Sequence, residues 1–111
     1  MGKSLIDEAR VEKALIFLAD TDAKYAQLKG ELARAEYSIH LARKVGFFAS
    51  EATTVRAKEL EAEDTPLMKD RQERYATILT DLTALEAQRK RNIIVIDVFR
   101  TLEASRRVGN I

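Results

Sequence analysis

The chemistry-bearing side chains of this chain are its 19 lysines and arginines and 18 aspartates and glutamates, and they are unevenly placed. From Glu86 to Ile111, Arg89, Lys90, Arg91, Arg100, Arg106 and Arg107 stand against Glu86, Asp97 and Glu103, a net of +3. From Glu51 to Asp64, five acids stand against Arg56 and Lys58, a net of −3. Clustered cations bind phosphate backbones by releasing counterions, without reading bases. Tyr25 and Tyr37 are candidates for stacking on single-stranded bases. The same charges also suit a solvated helix face laced with Glu–Arg pairs, or an oligomer that joins basic ends to acidic tips.

Other chemistries find little support. The chain has no cysteine and one histidine, His40, so it lacks a disulfide framework, a thiol nucleophile and the usual zinc sets. The aspartates are scattered, and no carboxylate pair sits in a pocket-forming context. Glu61 and Glu63 read as a solvated acidic face rather than a cation site. Gly2, Gly30, Gly46 and Gly109 stand alone, without the spacing of a phosphate loop. The expectation is a protein that is not an enzyme and carries no metal or cofactor. No apolar run approaches the ~20 residues of a membrane span, and no secretory core follows Met1-Gly2-Lys3-Ser4. A cytoplasmic protein is expected.

These residues need elements to hold them, and the composition points to helix. One proline, four glycines and 33% charged residues leave little room for sheet or disorder. The expectation is an all-α single domain, 1–111, with helices at about 5–19, 22–49, 55–62 and 66–107. Ser4 with Asp7 marks a helix start, followed by an apolar stripe of Leu5, Val11, Ala14, Leu15 and Leu18. Asp20-Thr21-Asp22 competes for backbone hydrogen bonds and predicts a break there, with a kinked continuous helix as the alternative. From Asp22 on, Tyr25, Leu28, Leu32, Ala35, Ile39, Ala42 and Gly46 alternate in steps of three and four, the seam of lengthwise helix packing. Thr65-Pro66 starts the last helix. Its seam reads Tyr75, Ile78, Leu82, Leu85, Arg89, Asn92, Ile96, Phe99 and Glu103.

Helices before and after the segment 50–65 have matching lengths of roughly 60–70 Å at 1.5 Å per residue. They predict a long antiparallel, coiled-coil-like hairpin with a short helical or irregular tip. In that register Lys24 and Lys29 fall near Arg89-Lys90-Arg91, and Arg10 and Lys13 near Arg100 and Arg106. Arg89 and Asn92 lie on the seam, where they either fix register as buried polar residues or turn to solvent. Val95, Val98 and Leu102 widen the stripe beyond what one partner helix covers, which predicts a homo-oligomer. Phe47 and Phe48 either cap the hairpin core or form an exposed patch for a subunit or partner.

The layout resembles small helical proteins of tailed phages, including those grouped with the UvsY-type recombination mediators. The resemblance is carried by Arg10-Val11-Glu12-Lys13-Ala14-Leu15, Leu18-Ala19-Asp20-Thr21-Asp22, Leu28-Lys29 and the tip from Ser50 to Arg56. It continues in Ile94-Val95-Ile96-Asp97-Val98-Phe99-Arg100 and Ala104-Ser105-Arg106-Arg107. It implies an oligomeric, non-enzymatic protein of a phage-infected or prophage-carrying bacterial cell. Such a protein binds single-stranded DNA and helps load a recombinase onto DNA covered by single-strand-binding protein. The tip here is acidic instead of basic, which moves the expected DNA contacts to Lys24, Arg89, Lys90, Arg91, Arg100, Arg106 and Arg107. The rival expectation is a helical interaction module (scaffold, adaptor or phage inhibitor) without nucleic-acid binding.

Overall fold

The computed structural model describes residues 6–109, and among them it is all-helical: α1 (Glu8–Ala49), α2 (Val55–Glu63) and α3 (Pro66–Gly109), with no strand. The chain divides into two compact units. One takes α1 up to Tyr25 with α3 from Thr83 onward; the other runs from Ala26 to Leu82.

Helix α1 starts three residues later than the sequence suggests. Ser4 and Leu5 lie outside the described residues, and the observed cap is Asp7, whose carboxylate accepts from the amide of Arg10 at 2.9 Å. The expected break at Asp20-Thr21-Asp22 does not occur: α1 continues through it as one helix. Thr21 turns its hydroxyl back onto the helix and donates to the Phe17 carbonyl at 2.8 Å, so it does not cap a new helix. Thr21 also falls on the three-four seam between Leu18 and Tyr25, where packing favours continuation. The expected helices at 5–19 and 22–49 are therefore one element.

In the first unit, Ala14 and Ile96 are buried and Val11, Leu18, Thr21, Tyr25, Leu85, Arg89, Asn92, Phe99 and Glu103 half-buried. Every one of these lies on the seam. In the second unit the buried set is Leu28, Ala35, Ala42, Gly46, Ala62, Met68 and Leu82. Small seam residues let backbones approach, and Gly46 marks a close approach. A Cβ there would lie 2.9 Å from the Cα of Ala62 and 3.2 Å from its Cβ, so only glycine fits.

The segment between α1 and α3 is ordered by caps. The Ser50 hydroxyl accepts from the amide of Ala52 at 3.1 Å and donates to Glu61. Thr54 caps α2 by accepting from Ala57 at 3.1 Å. Thr65 caps α3 by accepting from Met68 at 3.1 Å, with Pro66 in the first helical position, as the sequence predicts. Met68 is fully buried and anchors that turn.

Candidate nucleic-acid interface and the apolar tip

The first unit holds all seven cations expected to contact DNA, but it does not treat them alike. Arg89 reaches across to α1, where one terminal nitrogen donates to the Leu18 carbonyl at 2.9 Å and to the Thr21 hydroxyl at 2.7 Å. The other donates to the Asp22 carboxylate at 2.6 Å. The guanidinium also lies 4.8 Å from the centre of the Tyr25 ring, and the Tyr25 hydroxyl donates to Glu86 at 3.4 Å. The side chain is only 14% exposed. Of the two roles open to Arg89 from sequence, the structure places it in the seam, locking α3 to α1 by hydrogen bonds. Asn92 is half-buried and donates to the Gln88 carbonyl of its own helix at 2.8 Å.

The remaining cations are exposed. Arg106 pairs with Glu103 one turn away at 3.0 Å. Lys24, Lys90, Arg91, Arg100 and Arg107 form no ion pair among the described residues. The acids around them are partly engaged: Asp22 by Arg89, Glu86 by Tyr25 and Glu103 by Arg106. At 100° per residue, Arg100 and Arg107 share one flank of the α3 seam, and Lys90 lies further round on the same side. Arg91 and Arg106 fall on the opposite side. The cations therefore surround α3 and do not line up as one stripe.

The interface residues divide as well. Val95 is half-buried, while Val98 and Leu102 are exposed at 39% and 42%. They run down one flank of the α3 seam beside Val95, with Ile94 further round. In the second unit Phe47 is half-buried under the Lys58 ammonium, 5.8 Å from its ring centre. Phe48, edge-on to Phe47 at 5.8 Å between ring centres, is 82% exposed. The two outcomes open for this pair from sequence are each realised by one phenylalanine.

Phe48, which the sequence offered as part of an exposed patch, lines a groove whose other wall the sequence did not show. A groove of about 690 Å³ is lined by Phe47, Phe48, Leu60 and Ala62 with charges at its rim: Arg43, Lys44, Arg56, Glu59 and Glu63. The available signal was Tyr37, Leu41, Val45 and Phe48, a second apolar series at helical spacing that the seam does not use and that the structure leaves exposed. The acidity of the tip is also largely engaged. Glu63 is bridged to Arg43, Asp64 to Lys69 at 3.2 Å, and Glu61 accepts from Ser50. His40 is exposed, and no group of three potential metal ligands gathers among the described residues. Among those residues, too, no helix is long and apolar enough to cross a membrane. The chain matches no family model, no curated protein and no solved structure.

Proposed function

We propose that the protein binds single-stranded DNA as an accessory of recombination, of the kind that helps load a recombinase, and that it does so as a homo-oligomer without catalysis. One observation carries the reading. In the unit built from the ends of the chain, Asp22 and Glu103 are paired with arginines, while Asp20, Glu86 and Asp97 keep their charge. Lys24, Lys90, Arg91, Arg100 and Arg107 are left exposed, with no ion pair among the described residues. Charge that is not neutralised within the fold is available to phosphates. The resemblance to UvsY-type mediators supports the same reading. Arg89 drops out of the DNA-binding set in this proposal, because its donors are already engaged.

The test is fluorescence anisotropy of a labelled single-stranded oligonucleotide, with a duplex control, over a range of salt. The expected result is saturable, salt-sensitive binding that prefers the single strand. Alanine at Lys90, Arg91 and Arg100 together should flatten the dependence of log K on log salt by about 2, at roughly 0.7 for each phosphate no longer neutralised. Absence of binding at low salt overturns the reading.

A second reading, a protein-interaction module, is favoured by the exposure of Phe48, Leu60, Val98 and Leu102. It predicts assembly or partner binding without affinity for nucleic acid.

A further inference from the structure

We propose that the groove between the end of α1 and α2 is a docking site for a short acidic peptide carrying bulky apolar side chains, displayed by another protein. This gives the exposed apolar tip a ligand chemistry; it uses residues of the second unit and is independent of DNA binding by the first.

Three observations support the choice of occupant. The groove has an apolar wall open to solvent, with Phe48 82% and Leu60 58% exposed and Ala62 fully buried at its base. Bulky side chains would cover apolar surface that no part of the described chain covers. The rim charges are then sorted by pairing. Arg43 and Glu63 neutralise each other, while Lys44, Arg56 and the acid Glu59 have no ion pair among the described residues. The balance left for a ligand is positive. Finally, the groove is preformed: the Thr54 cap, the Ser50–Glu61 hydrogen bond, the Lys58 bond to the Ser50 carbonyl at 3.2 Å and the close Gly46–Ala62 approach all hold α2 in place. A preformed site avoids the ordering cost that weakens peptide binding.

The same charges disfavour other occupants. A second copy docking through this face would set two rims of the same positive balance against each other. A nucleic-acid strand carries a charge at every unit, and two cations beside Glu59 do not match it. A peptide with one or two carboxylates next to its apolar anchors does.

The experiment uses the full chain and three labelled synthetic peptides of equal length. One combines aspartates and glutamates with two phenylalanines; one replaces the acids by lysines; one replaces them by serines. The expected result is saturable anisotropy for the acidic peptide alone. Lys44→Glu with Arg56→Glu should weaken binding at least about tenfold, and Phe48→Ser by a similar factor. Glu59→Gln should tighten it, because it removes the one opposing charge. All these positions are exposed, and circular dichroism of each variant checks that the helices persist. Equal binding of the serine or lysine peptide, abolished in Phe48→Ser, overturns the acidic assignment while leaving the interaction reading intact. No binding of any peptide overturns the proposal. An oligomer that dissociates on Phe48→Ser, with no peptide bound, assigns the groove to a second copy and overturns the proposal.

Discussion

Arg89 joins the two helices of its unit with hydrogen bonds that differ in worth. Asp22 is 69% exposed, so its ion pair is screened and should contribute well under about 1 kcal/mol. The bonds to the Leu18 carbonyl and the Thr21 hydroxyl are part-buried, and a hydrogen bond involving a charged group contributes about 1.5–3 kcal/mol. Arg89→Ala should therefore lower unfolding free energy by about 2 kcal/mol, whereas Asp22→Ala should change it little. Urea denaturation of both variants measures the difference, and equal losses would show that the ion pair dominates. The glycines give an opposed pair of outcomes. Gly46→Ala forces a Cβ against the Ala62 backbone and should destabilise by about 1–3 kcal/mol through overpacking. At Gly30 an added Cβ meets only the tip of the flexible Arg34 side chain at 3.4 Å. Gly30→Ala should stabilise by about 0.5–1 kcal/mol through helix propensity. Thermal unfolding should move the two variants in opposite directions.

At the scale of elements, both long helices carry more apolar surface than their seams bury. On α1 the surplus includes Ile16, Tyr37, Leu41, Val45 and Phe48; on α3 it includes Ile94, Val98 and Leu102. A helix with one apolar stripe is satisfied by one neighbour, and a second stripe asks for another. Sedimentation of the wild type should show a species larger than the 12.6 kDa chain. Val98→Asp with Leu102→Asp should return it to the monomer with helicity intact. A monomeric wild type would leave these residues as scattered surface apolar groups. Between the long helices, α2 depends on its cap. Thr54→Ala should cost about 1 kcal/mol, read as faster amide exchange across α2 than across α3.

For the molecule as a whole, the near-neutral net charge of +1 hides a sorting of charges by pairing. The DNA binding proposed for Lys90, Arg91 and Arg100 should survive Arg89→Met to the extent that the fold does, because that side chain serves the seam. Anisotropy on the folded fraction of Arg89→Met checks this: a loss of affinity as large as that of the triple alanine variant would return Arg89 to the DNA-binding set.

The sequence by itself determined the helical class, the two seams and the cap at Thr65. Those features follow from periodicity and local hydrogen bonding, which a chain of residues carries in its spacing. It misjudged Asp20-Thr21-Asp22, because the local tendency of these residues to cap is opposed by packing and by a partner, Arg89, 67 residues or more away in the chain. It also left undecided which cations stay available. That depends on which charges pair across helices, and only the tertiary structure brings Arg89 to Asp22, Arg43 to Glu63 and Gly46 against Ala62.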